Sequence, residues 1–327
     1  MSNLAGKTVL ITGGTGTVGQ GLVNFIVQQP QSLWPKRLVL LSRDEYKQFE
    51  SRKRFPAHSF PFISYTLADV SDYHAILDSF ALVDLVVHTA ALKRVEAGEL
   101  NPEAFIKTNV LGTTNVLRAA KIQHVPQLLT ISTDKAVYPT TLYGATKLCA
   151  EKTTVQNNGS SQLRASVIRL GNIFGSRGSI VDDLRKSSTN SEITITHQDM
   201  TRFTTSIQEA AKYILEVTEY AIGGEIFIPK MNAYRLTDLV SVVSPDAKIS
   251  FTSPRYMEKL HESLFSTEES RFTLEREYDY IISTDESVRK LYRKKFNIVS
   301  VSAPEYSSEQ SAFLTNDELK ELYKTQS

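Results

Sequence analysis

The chain is expected to fold as an α/β protein, a doubly wound parallel sheet with a smaller α+β lobe beside it. Three observations point there. Short β-branched runs alternate with helical patterns through the first half of the chain, the rhythm of a parallel sheet. A glycine-rich turn lies between the first of these runs and the first helix. Past residue 175 the rhythm changes to shorter strand candidates.

The strands follow in order. TVLI at 8–11 is the first, LVLL at 38–41 the second, FISY at 62–65 the third and LVVH at 85–88 the fourth. LLTIS at 128–132 and RASVIRL at 164–170 are the fifth and sixth. Helical patterns fill the gaps, most clearly over 101–121 and 143–156. Right-handed crossovers between such strands place ligands at their carboxyl ends. Later strand candidates, TIT at 194–196, EIFI at 225–228 and KISF at 248–251, are interleaved with helices near 207–219 and 235–243. The expected division is a Rossmann-type dinucleotide-binding domain over 1–175 and a mainly substrate-binding lobe over 176–297, some of whose strands return to the main sheet. A C-terminal arm over 298–327 is Ser-rich and then helical at 316–323.

Composition narrows the function. The 327 residues carry 37 basic and 36 acidic side chains, a net charge of +1. That balance gives no electrostatic reason to expect a nucleic-acid or membrane partner. The single cysteine, Cys149, excludes an intrachain disulfide and fits a reducing, cytoplasmic setting, with helix packing as its role. The apolar runs at 37–41 and 81–87 fall well short of the roughly 20 residues of a membrane span, and the N-terminus lacks the apolar region of a secretory signal.

TGGTGTVG at 12–19 follows strand one and opens a helix. Gly13, Gly16 and Gly19 are spaced for a tight turn, close backbone approach to a pyrophosphate and close helix–strand packing. With Thr15, Thr17 and Val18 they form the expected phosphate cradle, at a helix N-terminus that favours anions. The end of strand two reads Ser42-Arg43-Asp44, with Lys47 a turn later. A hydroxyl and two cations suit a 2′-phosphate, so NADP is favoured, while Asp44 keeps NAD open. Asp69 and Val70 are placed for the adenine edge. The small Thr89-Ala90-Ala91 turn lets backbone lie along the cofactor.

Tyr143 and Lys147, four apart, share one face of a helix. A cationic Lys147 lowers the cost of a Tyr143 phenolate, which accepts the proton of a substrate hydroxyl while hydride leaves the same carbon. Thr133 at the end of strand five holds that hydroxyl in line. Asp134 and Lys135 exceed what a plain dehydrogenase needs.

The chain resembles the extended short-chain dehydrogenases/reductases, and more narrowly the soluble UDP-N-acetylglucosamine 4,6-dehydratases that invert C5 and open pseudaminic acid biosynthesis. ITGGTG, SRDEYKQ, HTAALK, NPEAFIKTNVLG, STDKA, LYGATKLC, GNIFGSRGS, MTRF, GGEIFIPK, EKLHE and EYSS carry the resemblance, from residue 11 to 308. It implies a tightly bound NADP, reduced and reoxidised within one cycle. It implies Asp134 as the acid that protonates the departing C6 hydroxyl and Lys135 as the base at C5. Both protonation states run against reference values, and burial is expected to push the coupled pair there.

The resemblance also puts Ile131, Ser132, Ile173 and Arg177 around the cofactor and Lys93 between cofactor and sugar. Asn172, Ile180, Thr194, Arg202 and Arg255 fall on the nucleotide-sugar side, with Arg255 as the diphosphate clamp. It implies a homo-oligomer, hexamer or dimer. His261 lacks a second His four residues on, so a structural hydrogen bond is expected there and no metal. Tyr256 and Met257 stand where the family has Pro-Gly, Thr141 and Ser311 where it has Asn, and Arg94 where it has His. Competing expectations are a C5-retaining dehydratase, a nucleotide-sugar 4-epimerase and a cofactor-sensing protein without activity. Asp134-Lys135 argues against simple epimerisation, which needs neither acid nor C5 base.

Overall fold

The computed structural model describes residues 4–186, 192–253 and 257–325. All six expected strands of the first half form: β1 (Thr8–Thr12), β2 (Arg37–Ser42), β3 (Ile63–Leu67), β4 (Leu85–His88), β5 (Gln127–Thr133) and β6 (Arg164–Leu170). They pair in parallel in the order β3-β2-β1-β4-β5-β6. Residues Ile226–Pro229 add a further parallel strand beside β6. Asp279–Ile282, Thr273–Glu275 and Val299–Ser300 then extend the sheet antiparallel, to ten strands.

The central strands are buried on both faces, which is why they read as unbroken apolar runs. Val9 and Ile11 of β1 enter one core with helices Thr17–Gln28 and Ile207–Tyr220, while Leu10 enters the other with Val116 and Leu117. That alternation is the period of two that a pleated strand imposes.

The helix expected over 101–121 is broken. It comprises Pro102–Phe105, a wide π turn over Ile106–Leu111 and an α-helix over Gly112–Ile122. The wide turn presents Asn109, which is buried and binds the backbone N–H and C=O of Leu92 and the hydroxyl of Thr146. Such turns recur where a side chain must be aimed at a site.

The lobe is built from small sheets. Thr201–Thr205 lies between Asn232–Arg235 and Asn172–Ile173. Ile193–Ile195 pairs with Ile249–Phe251, and Ser263–Phe265 with Tyr306–Ser307. The expected strands at 194–196 and 248–251 fall in the second of these sheets, whereas that at 225–228 joins the main one. Helix Asn316–Thr325 buries Leu319 in the lobe core with Met200, Tyr234 and Leu239. Among the described residues no helix is long and apolar enough to cross a membrane.

One buried cation ties sheet, helix and lobe together. Arg169 of β6 is wholly buried. Its Nε and Nη2 donate to both oxygens of Glu151 at 3.0 and 2.7 Å, on helix Leu142–Gln156. Nη1 donates to the Leu264 carbonyl at 2.7 Å, and the guanidinium also reaches Glu269. Removing one partner of such a set strands the others without water. Arg169→Met is therefore expected to cost about 3–5 kcal/mol and to lower the melting temperature by several degrees, read by differential scanning calorimetry.

Candidate active site

At the carboxyl ends of β1, β2 and β4 opens a cleft of about 420 Å³. Gly13, Thr15, Gly16, Ser42, Arg43, Asp44, Lys47, Asp69, Val70, Thr89, Ala90, Lys93 and Arg177 all line it, so most of the expected cofactor residues share one wall. Gly13 adopts φ +69°, and a Cβ there would stand 2.7 Å from the Ala90 nitrogen. Only glycine takes that turn without strain. Helix Thr17–Gln28 starts at Gly16 with no side-chain cap and no acid in its first turn, leaving its amides to an anion. Thr17 and Val18 begin that helix, Val18 packing on the core.

At the end of β2, Asp44 lines the cleft and is engaged by Lys47. Its carboxylate caps helix Glu45–Arg54 through the Lys47 amide and pairs with Lys47 Nζ at 2.7 Å. These bonds to Lys47 hold its pKa below the usual carboxylate range. Arg43 reaches Asp69 at 3.2 Å and is otherwise exposed. Arg177 Nη2 donates to the Thr15 carbonyl at 2.7 Å, closing the lobe side over the glycine loop.

The second cluster lies where β5 ends. Thr141 caps helix Leu142–Gln156 by accepting from the Gly144 amide, a job Thr and Asn share, so the departure at 141 leaves the helix start intact. Tyr143 and Lys147 are both buried on this helix. Lys147 Nζ donates to the Ile131 carbonyl at 2.7 Å, and burial lowers its pKa to about 8. Burial raises Tyr143, opposed by a hydrogen bond with Thr133 and by the charge of Lys135. Of the charges beside the phenol, Lys135 favours the phenolate and Asp134 opposes it.

Asp134 is fully buried. Its Oδ1 accepts from the Thr133 hydroxyl at 3.2 Å, the Lys135 amide at 2.9 Å and Lys135 Nζ at 3.0 Å. Its Oδ2 has no hydrogen-bond partner among the described residues. Lys135 Nζ also meets Glu262 Oε1 at 3.2 Å and Asn172 Oδ1 at 3.3 Å. Burial pushes the Asp134 carboxyl up, as expected. Lys135 departs from expectation. Burial alone would lower it, but the carboxylates of Asp134 and Glu262 together raise it. Burial works against the Glu262 carboxylate too, yet Lys135, Arg202 and Lys259 hold its pKa down.

The remaining expected residues are placed as follows. Ser132 is buried with its hydroxyl unpartnered among the described residues. Ile173 packs on the main core and Ile180 on the lobe core. Thr194 is exposed, its hydroxyl against Ser250. Arg202 is buried and turned inward, donating to the carbonyls of Thr201 and Leu260. Arg255 and Tyr256 lie outside the described residues. Met257 keeps φ +69° where the family has glycine, and the Thr140 hydroxyl holds its carbonyl. Ser311 donates to the Met231 carbonyl. His261 bonds the Thr201 hydroxyl at 2.8 Å. Glu262 was not singled out from the sequence, although EKLHE contains it.

Residues 9–284 match the family model described as polysaccharide biosynthesis protein. The chain belongs to that family. It is 40% identical over 282 residues to a UDP-N-acetylglucosamine 4,6-dehydratase (inverting) from Campylobacter jejuni, covering 85% of this chain and 83% of that protein. A UDP-glucose 4-epimerase from Rickettsia bellii is 37% identical, over 80% of this chain and 79% of that protein. Among solved structures, Pen from Bacillus thuringiensis is 32% identical with a TM-score of 0.88, over 99% of this chain and 98% of that one. The dTDP-glucose 4,6-dehydratase DesIV from Streptomyces venezuelae, solved with NAD and TYD, shares the fold at 17% identity and TM-score 0.70, over 97% and 96%.

Beneath the cleft of this family member, His88 lies buried between Thr12 and Thr113, bonded to their hydroxyls at 2.7 and 3.0 Å. Burial, then the Lys147 charge, depress its pKa from 6.5 to about 3. Between those values the unfolded chain binds the proton and the folded one does not, so stability falls as pH drops from about 6.5 toward 3. In His88→Gln this part of the acid-side loss is expected to disappear, leaving a shallower fall of melting temperature between pH 7 and 4.

Proposed function

We propose that this chain is an NADP-dependent UDP-N-acetylglucosamine 4,6-dehydratase that inverts C5. The observation that carries this reading is the pairing of buried Asp134 with part-buried Lys135 beside Tyr143. A dehydrogenase or epimerase has no use for an acid and an amine there, whereas elimination of water across C5 and C6 needs both.

The cleft suits a dinucleotide: a glycine turn no side chain fits, bare amides at a helix start, and Arg43 and Lys47 at the ribose end. When bound, NADP accepts hydride from C4 and gives it back at C6. This chain's own residues handle the protons. Tyr143 takes the C4 hydroxyl proton, with Thr133 in line and the Lys135 charge favouring the phenolate. The C4 ketone then makes the C5 proton acidic.

As an ammonium, Lys135 spends its three N–H bonds on Asp134, Glu262 and Asn172, and has no lone pair for C5. Passing one proton to Asp134, whose carboxyl burial has raised, produces the neutral amine and the acid together. Lys135 then removes the C5 proton, and Asp134 protonates the C6 hydroxyl as it leaves. Return of a proton from Lys135 to the opposite face of C5 gives inversion. The Tyr143 proton restores Asp134 through the Thr133 hydroxyl that bonds both.

The same reading assigns a nucleotide-sugar substrate, a homo-oligomer (hexamer or dimer), a cytoplasmic setting and a place at the opening of pseudaminic acid synthesis. Its support is the likeness to the Campylobacter protein together with the Asp134–Lys135 geometry.

Purified protein given UDP-N-acetylglucosamine and NADP in deuterated water is expected to yield a product lighter by one water, with deuterium at C5 and ring couplings of the inverted sugar by proton NMR. Unchanged substrate, or one inverted only at C4, would sink the dehydratase reading. Lys135→Ala should slow water loss by about 100-fold or more while titration calorimetry shows cofactor binding retained. Arg43→Ala is expected to weaken NADP by about tenfold, the loss of one charge-assisted bond, with a smaller effect on NAD. Equal effects on both would remove the 2′-phosphate assignment.

A further inference from the structure

Glu262 has no part in the steps above, yet it is as firmly built into the cluster as Asp134. Its backbone is fixed on both sides, the N–H donating to the Ser308 hydroxyl at 2.9 Å and the C=O accepting from the Ser308 amide at 2.8 Å. The side chain is 5% exposed. Oε1 lies 3.2 Å from Lys135 Nζ. Oε2 makes no hydrogen bond among the described residues and has Lys259 Nζ at 3.6 Å.

Two carboxylates thus face one ammonium, and their fates in the reaction differ. Asp134 is neutral from the moment it accepts a proton until it gives that proton to the leaving hydroxyl. In that interval the charges acting on Lys135 include the cations of Arg202 from the strand Thr201–Thr205, Lys259 from segment 257–262 and Lys93 after β4, with Glu262 as the carboxylate beside it. Asn172, Tyr143 and Tyr234 are its neutral neighbours. Those cations without a counter-charge would drive the C5 proton off Lys135 as fast as it arrived.

We propose that Glu262 is the positioning residue of the C5 step, anchoring Lys135 Nζ and stabilising its protonated form while Asp134 is neutral. This rests on the dehydratase reading. In the step itself the C5–H bond breaks and an N–H bond forms on Lys135, the electron pair remaining on the sugar as the enolate. The Asp134 O–H bond and the C6–O bond then break as water forms. Glu262 keeps its charge throughout, so Lys135 stays an ammonium and has a solvent-exchangeable proton to return to C5.

The test compares two steps in single turnovers of the NADP-loaded protein with UDP-N-acetylglucosamine in deuterated water. C4 oxidation is read from reduced-nicotinamide absorbance, and C5 exchange from deuterium incorporation. In Glu262→Gln, C5 exchange should fall at least about tenfold more than C4 oxidation. The pH limb of the exchange rate should move down by about one unit, because losing a carboxylate lowers the Lys135 pKa. Glu262→Asp, charged but shorter, should restore the limb toward the wild-type position while exchange stays slow. A parallel fall of both steps with an unmoved limb marks a structural role only, and unchanged exchange in both variants marks no role; either overturns the assignment. A wild-type protein that forms no product removes the dehydratase reading and this inference with it. An active wild type with either overturning pattern removes the inference alone.

Discussion

The Arg169 guanidinium is the constraint on which the geometry of the site depends. A fully buried cation is tolerable only if every N–H is spent, and Arg169 spends its own on Glu151, Glu269 and the Leu264 carbonyl. Those partners belong to the helix that carries Tyr143 and Lys147, to the segment after strand Ser263–Phe265 and to that strand itself. Glu262 immediately precedes the strand. The clamp therefore sets the distance between the two halves of the charged cluster around Lys135, one half from the Rossmann sheet and the other from the lobe. Such a buried ionic set adds little net stability over a well-packed apolar one, but a displaced partner is costly. Its effect is to make one relative placement far better than its neighbours.

Within that frame the charges around Lys135 form a chain of dependence. Lys135, then Arg202 and Lys259, hold Glu262 ionised, and Asp134 with Glu262 in turn holds Lys135 ionised. Burial pushes Asp134 toward its neutral form. In the proposed reaction, the group whose affinity for a proton is raised by burial is the one that carries it to the leaving hydroxyl. The groups held charged are those that keep the amine in place. Lys147 is set apart from this chain, bonded to the Ile131 carbonyl and lowered by its own burial.

What could be read from the sequence is what is local. The six strands stood out because burial on both faces makes each an apolar run, and the glycine loop because its turn admits no side chain at Gly13. Thr133, Asp134 and Lys135 are adjacent, and Tyr143 and Lys147 share a helix face, so their grouping needed no fold. Arg169, Glu151 and Glu269 are far apart along the chain, and each reads singly as a surface charge. Glu262 meets Lys135 only through the pairing of the lobe with the β5 turn, which no periodicity reports. The break near 106–111 was hidden because its pattern stays helical; only the inward turn of Asn109 shows the extra residue.

The contact between that turn and the lobe is also where the chain accepts strain. Tyr138 has φ +44° and Met257 φ +69°, both in the left-handed region that side chains avoid. Each costs on the order of 1–3 kcal/mol unless the surroundings over-determine it. Here they do. The Tyr138 hydroxyl binds the Thr267 amide and Glu268, the Thr140 hydroxyl binds the Met257 carbonyl, and Lys259 Nζ donates to the Val137 carbonyl. These bonds join the segment carrying Asp134 and Lys135 to the one carrying Glu262, with no strand pairing between them among the described residues. A glycine at 257 would relieve one strain and loosen one side of the joint. Methionine keeps the backbone turn and narrows the conformations available to the loop, so the counter-charge facing Lys135 is held by strain and side-chain bonds together.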